Sequence, residues 1–554
     1  MRSKGWMNRA CGAALLACWG SGALLAEAIG TTKDTRVADA AMQSDVEGVR
    51  SLIKQKADVN TAQGDGMTAL HWAAFKDDIE MARLLTGSGA NVKAETRNDG
   101  LTPLYMACVN GNAAMIRVLI KGGASARAAS RGGVTALMTV AASGSVEAVN
   151  ALIDAGADVN AREPVNGQNA LMFAASKNRG AVIQALVAKG ADVAATTNVV
   201  QLAVASFDEN GNPKSRSRGG EREAGGNTQT GGMTALLFAA REGHLGAIRA
   251  LMTAGADVNQ ASVGERTSPL VAAIENGHYE VGKILLDYGA DPNHANVDGL
   301  AALYAVIDMQ YTALTVPLPT TAQEKITYLD LMKALLEKGA NPNARIVRKL
   351  WFRPLARDQQ WVSTAGATPF WRAAQANDVL AMKLLVAHGA DPKLMSNSGD
   401  TALGVAAGLG WSGGFSRNAL EPNAWMASVK YCLELGLDVN AVNKEGFTPV
   451  MGAAWRGNNE LVIFLVKNGA KLDVRTQRGW AVTDMANAPA LRTGVPIAHP
   501  ETIVLLTELG APPLTVVKGE AILGSSSFRK VAPAPKASSA SSDEPKAAKP
   551  PDRR

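Results

Sequence analysis

The sequence predicts an all-α solenoid of stacked helix–turn–helix units, about twelve of them, joined by β-hairpin-like return loops and interrupted by several inserted loops. Three observations carry that expectation. A Gly-Ala turn recurs at Ala90, Ala124, Ala157, Ala191, Ala256, Ala290, Ala340, Ala390 and Ala470, and uninterrupted spacings are 33 or 34 residues. A common helix start precedes most of these turns, as in TALHWAA at Thr68, TPLYMAC at Thr102, NALMFAA at Asn169, TALLFAA at Thr234, TPFWRAA at Thr368 and TPVMGAA at Thr448. Each unit is too thin to bury its apolar face alone, so only stacking on its neighbours can stabilise it.

The stretch Gly133 to Ala161 shows the unit without interruption. Thr135 can cap a short helix whose Leu137, Ala141 and Ala142 share one face. Gly144 can close that helix in a left-handed conformation, and Ser145 can cap the next. The second helix turns Val149, Leu152 and Ile153 inward and stops at Gly156, after which Ala157 to Asn160 sends the chain back.

Period and motif together resemble the ankyrin repeat, whose unit of about 33 residues carries a T-P-L-H-x-A signature. The resemblance covers nearly everything from about residue 35 to about residue 513. It implies a right-handed stack in which the first helices and the hairpin tips line a concave face that receives protein partners.

Three segments follow from this reading: a signal peptide at 1–28, the solenoid at 29–517, and a tail at 518–554. In the first segment Arg2, Lys4 and Arg9 precede an apolar run from Ala10 to Ala26, and Ala26-Glu27-Ala28 is an A-x-A cleavage site. Periplasmic or secreted location in a bacterium is therefore expected. Leu15-Leu16-Ala17-Cys18 loosely resembles a lipobox and offers lipid anchoring through Cys18 as the alternative. No later apolar run is long enough to span a bilayer. The tail is rich in Pro, Ala, Ser and Lys, a composition that cannot build a core.

Val37 to Asn60 reads as a first unit without the common start, more polar because it ends the stack. Units two to five then run almost without interruption. Insertions are expected at 199–232, 312–323, 344–366, 408–425 and 489–500. The first mixes basic and acidic residues with glycine and reads as a mobile loop. The third, ARIVRKLWFRPLARDQQWVSTAG, is basic and aromatic.

The formal charge of +6 lies at the two ends. Residues 1–28 carry +2 and residues 518–554 carry +4, which leaves the solenoid without net charge. A phosphate-tracking surface needs clustered positive charge, so nucleic acid is not an expected partner. Cys11 and Cys18 fall in the signal; Cys108 and Cys432 sit far apart in the stack, where they are expected to be buried thiols and cannot form a disulfide or a metal site.

Two catalytic patterns match by letter. Gly410-Trp411-Ser412-Gly413-Gly414 fits G-x-S-x-G, and Gly408 to Gly413 fits G-x-G-x-x-G. Both need a preceding strand, and here the preceding TALGVAA is a first helix. The six histidines take repeat positions: His71 stands at the H of the signature, His244 and His278 in the turn between helices, His388 before a Gly-Ala turn, His294 and His499 in loops. No catalytic, metal or cofactor residue is expected.

The positive signal is aromatic. Trp351, Trp361, Trp371, Trp411, Trp425, Trp455 and Trp480 crowd the C-terminal half. Tryptophan anchors protein interfaces when it is partly exposed. The candidate partner-binding residues are Trp72, Phe75, Tyr105, Trp371 and Trp455 on first helices, with Arg348, Trp351, Phe352, Arg353, Trp361 and Trp411 on insertions. Trp371 takes the place of the signature histidine. A monomeric, non-enzymatic scaffold that holds a partner protein of the cell envelope is the expected function. The alternative is a small-ligand or glycan receptor, or an enzyme, with a pocket built by the insertions.

Overall fold

Short caps, apolar positions at helical spacing and a left-handed residue, glycine in most units, at the reversals produce helices of five to eleven residues, and they come in pairs. The computed structural model describes residues 34–201, 229–311, 324–347, 362–411, 423–487 and 498–515. The expected signal peptide, the tail from 518 and the insertion 312–323 lie outside those residues, as do the central parts of the other four insertions.

The first six pairs are α1 (Arg36–Met42) with α2 (Val46–Lys54), α3 (Ala69–Phe75) with α4 (Ile79–Gly87), α5 (Pro103–Asn110) with α6 (Ala113–Lys121), α7 (Ala136–Ser143) with α8 (Val146–Asp154), α9 (Ala170–Ala175) with α10 (Gly180–Ala188), and α11 (Ala235–Arg241) with α12 (Leu245–Thr253). The next three are α13 (Pro269–Glu275) with α14 (Tyr279–Asp287), α15 (Ala302–Gln310) with α16 (Tyr328–Glu337), and α17 (Pro369–Gln375) with α18 (Val379–Ala387). Three more complete the twelve: α19 (Ala402–Ala407) with α20 (Ala424–Glu434), α21 (Pro449–Trp455) with α22 (Asn459–Lys467), and α23 (Val482–Ala486) with α24 (Pro500–Glu508). The odd-numbered helices stack one on the next along the whole described chain, and the even-numbered helices form a second, looser row.

Capping explains why such short helices form. Thr135 accepts from the Met138 amide at 3.2 Å, and Ser145 accepts from the Ala148 amide at 3.3 Å. Thr102, Thr234, Ser268, Thr368 and Thr401 repeat the first bond, while Asp45, Asp78, Asn112, Asp378 and Asn458 repeat the second. Each satisfies a helix-terminal amide that would otherwise be orphaned. Between the two helices Gly144 adopts φ +98, and a Cβ there would meet Arg179 Cδ at 2.9 Å. The core is one continuous layer of alanine, leucine, valine and methionine from Val37 to Ala511. Cys108 and Cys432 lie in it, buried and unbridged.

The return loops are held by an asparagine ladder. Asn160 donates from Nδ2 to Gly190 O at 3.0 Å and accepts from the Asp192 amide at 2.9 Å, so it clips its own hairpin to the next. Asn60, Asn259 and Asn440 make the same pair of bonds. Asn293 reaches Gly339 and Asn343 reaches Gly389, so the ladder continues past the insertions 312–323 and 344–366.

Three of the insertions leave and re-enter through a closed neck. At 199–232 the neck is a two-stranded antiparallel ribbon, β1 (Val199–Gln201) with β2 (Gln229–Gly231), in the register Val199 to Gly231. At 344–366 the Ile346 amide donates to Ala367 O at 3.1 Å and Gly366 returns a bond to Ile346 O at 2.7 Å. At 312–323 the flanking Tyr311 and Tyr328 meet hydroxyl to hydroxyl at 3.3 Å. A closed neck leaves the stack's register independent of the inserted length, and lengthening such a loop costs little.

Candidate functional site

In several first helices the residues four and seven places after the capping residue are only partly buried, on the open face of the odd-numbered row. In α3 these are Trp72 and Phe75, both half-buried, with ring centroids 6.0 Å apart in an edge-to-face arrangement. Trp72 donates from Nε1 to Gln63 Oε1 at 2.8 Å, which fixes its rotamer. Met42 and Val109 hold the seventh place in the neighbouring units and are 38% and 39% exposed. Together they make an apolar strip across the first three units; half-buried Tyr105, three places after Thr102, takes the position that His71 holds in the unit before.

A second aromatic group lies on α21 and in the turn that follows α19. Trp455 donates from Nε1 to Trp411 O at 2.9 Å, and the Arg456 guanidinium sits 4.9 Å from the centre of the Trp411 ring. All three are half-buried.

Between these groups the inner face carries a buried polar network. Arg372 donates from Nε to Asp308 Oδ1 at 2.9 Å and from Nη2 to Tyr311 O at 2.9 Å, tying α17 to α15. Asp378 Oδ2 accepts from Tyr311 at 2.9 Å and from Tyr328 at 2.8 Å, while its Oδ1 caps α18. Burial, with the Asp378 charge second, pushes the Tyr311 hydroxyl far above the usual phenol range. Asn377 donates to Ala406 O at 2.9 Å and to Ser428 Oγ at 2.7 Å, joining repeat nine to repeat ten. Sequence reasoning missed this network entirely. Its bonded partners lie up to 67 residues apart, and no local motif links them.

Trp371 corrects an expectation. It is fully buried, with 0% exposure, and cannot meet a partner. Its Nε1 donates to Asp400 O at 3.0 Å, the carbonyl just before the next capping threonine. His71 makes the equivalent bond in repeat two, Nε2 to Leu101 O at 2.9 Å. The third place after a cap points at the next unit, so an indole there replaces the imidazole as a cross-repeat strut. Arg348, Trp351, Phe352, Arg353 and Trp361 lie outside the described residues, and so does Ser412.

The G-x-S-x-G elbow fails on its setting, because α19 precedes Gly408 where a strand would be needed. An open cleft of about 580 Å³ is lined by Arg127, Leu137, Ile153, Asp158 and Lys189, in the regular repeats and away from the insertions. Among the described residues no three His, Cys, Asp or Glu side chains converge on a metal position, and no helix is long and apolar enough to cross a membrane.

Family comparison matches the same units. A family described as ankyrin repeats (3 copies) covers residues 37–130, 124–197 and 200–296; ankyrin repeats (many copies) covers 433–486, and ankyrin repeat covers 365–397. The chain belongs to the ankyrin-repeat family. The crystal structure of the human ASB11 ankyrin repeat domain is similar at 22% identity, covering 46% of this chain and 98% of that one, with a TM-score of 0.36. No curated protein matches the chain. Ankyrin repeats are in general protein–protein interaction modules and typically non-enzymatic scaffolds.

Proposed function

We propose that this ankyrin-repeat protein is a non-enzymatic scaffold that holds a partner protein against the open face of its first helices. The observation that carries the reading is the pair of half-exposed aromatic groups on that face, Trp72 with Phe75 and Trp411 with Trp455. Each is fixed by an indole hydrogen bond, so little side-chain freedom remains to be lost on binding. The Arg2, Lys4 and Arg9 cluster, the apolar run and the Ala26-Glu27-Ala28 site support an exported chain acting in the cell envelope.

The test is affinity capture of the tagged chain from its own envelope fraction, beside a variant carrying Trp72→Ala, Phe75→Ala and Trp455→Ala. A stoichiometric partner that the variant loses, with helicity and melting unchanged, is the expected result. Capture undiminished by the three substitutions would remove the open face from the reading.

A further inference from the structure

The inner face holds two arginines with opposite surroundings. Arg372 is paired with a carboxylate and a carbonyl at hydrogen-bond distance. Arg456 is not. Among the described residues its guanidinium makes one weak bond, Nη1 to Asn377 Oδ1 at 3.5 Å, and meets no carboxylate. A guanidinium carries five donors, and a cation taken from water costs free energy unless a counter-charge receives it. Desolvation by burial lowers the Arg456 pKa to about 10.

The local backbone is shaped around this side chain. Gly408, at φ +123 at the end of α19, would place a Cβ 2.3 Å from Arg456 Cδ, so only glycine lets the arginine stem cross there. A Cβ on Gly452 would approach Leu409 N to 2.7 Å, so its absence lets α21 come close against the same turn. The stem is thereby held with its guanidinium on the Trp411 ring, and Trp455 is hydrogen-bonded to the same turn. A planar fork backed by an indole face matches the geometry of a carboxylate, which it can grip with two parallel bonds.

We infer that Arg456, backed by Trp411 and flanked by Trp455, is a receptor for an Asp or Glu side chain on an apolar segment of the partner protein. The inference rests on the scaffold reading and names the chemistry of its partner. The partner carboxylate supplies the missing counter-charge, and the two indoles cover the apolar residues beside it.

The test uses an array of short random-sequence peptides, amidated so that no terminal carboxylate is free, probed with the full chain and with its Arg456→Gln, Arg456→Lys and Trp455→Ala variants. Bound peptides are expected to share one Asp or Glu next to apolar residues. Calorimetry on a bound peptide is expected to show binding weakened at least about tenfold by Arg456→Gln, and equally by the Asp→Asn or Glu→Gln change in the peptide, with no further loss when both are combined. Arg456→Lys keeps the charge but not the fork and should recover part of the loss. Arg456→Gln removes a half-buried cation that meets no carboxylate among the described residues, so its melting temperature should equal or exceed that of the natural chain.

Peptides without acidic preference that still lose binding to Trp455→Ala would overturn the carboxylate receptor and leave the scaffold reading standing. An array on which no peptide depends on the aromatic residues would overturn both. A lowered melting temperature in Arg456→Gln would make the arginine a structural strut and overturn the inference as well.

Discussion

Repeats two to five and repeats eight to eleven are built on one plan and held by different forces. In the first region Thr68, Thr102, Thr135 and Asn169 start first helices at nearly constant intervals, and the buried contacts between successive helices are Ala73, Ala107, Ala141, Ala174 and their leucine and methionine neighbours. In the second region insertions separate the helices of a pair or lengthen a hairpin, and directional bonds are added to the apolar layer: Arg372 to Asp308, Tyr311 and Tyr328 to Asp378, Asn377 to Ser428. A constant period fixes the register of an apolar layer by chain length alone. Where an insertion removes that constraint, a polar bond that works in one geometry does the fixing.

The comparison breaks most visibly at Leu152. It is fully buried in α8, and Leu152→Asp would place a carboxylate in a layer of apolar neighbours with no donor built to receive it. The expected cost exceeds about 4 kcal/mol, with loss of the cooperative transition through the middle of the stack. Urea unfolding followed by circular dichroism reads this directly. An undiminished cooperative transition would mean that the regular region tolerates charge as the C-terminal region does.

Arg372→Met should cost about 3–5 kcal/mol, because it removes the guanidinium from an ion pair with Asp308 in which both side chains are largely buried. Adding Asp308→Leu should recover most of that loss, since a well-packed apolar pair often replaces a buried ion pair without penalty. The two melting curves together sharpen the comparison. A double variant that is stable but shows faster hydrogen exchange in α15 and α17 would assign the ion pair to register. A single variant with no effect would make repeats eight and nine as apolar in their energetics as repeats two to five.

How much of this could be read from the sequence follows the range of the interactions. Caps, Gly-Ala turns and first-helix starts are local, so Thr135, Ser145 and Gly144 were legible with their roles, and twelve pairs followed from their recurrence. The asparagine ladder was half legible: Asn160 stood in the turn, but its bond to Gly190 needs the stacked neighbour. Trp371 misled because tryptophan is an interface residue by composition, whereas its helical position aims it at Asp400 O in the next repeat. Arg372 and Arg456 gave no signal, since what distinguishes them is whether Asp308 lies opposite or only Asn377 does.

The smallest expected effect concerns the two cross-repeat struts. His71 Nδ1 accepts from the Thr68 amide at 3.2 Å, so its proton resides on Nε2 and is donated to Leu101 O. Burial lowers its pKa from the ordinary 6.5, with partial opposition from the Leu101 carbonyl and the Asp65 charge. Above pH 6.5 the ring is neutral in folded and unfolded chains alike and pH changes nothing. Below it the unfolded chain takes up a proton that the folded chain resists, so stability falls as pH drops from 6.5 toward the folded pKa. His278, also lowered by burial, adds to that fall, with Glu324 opposing. Trp371 makes the same bond with a ring that does not titrate, so the strut in repeat nine should be indifferent to pH. Urea titrations at a series of pH values, compared between the natural chain and His71→Gln, isolate the difference. The variant should be less stable at pH 7 yet lose less on acidification. Equal slopes for the two chains would mean that His71 protonates as readily in the stack as in the unfolded chain, and that the two struts differ in size alone.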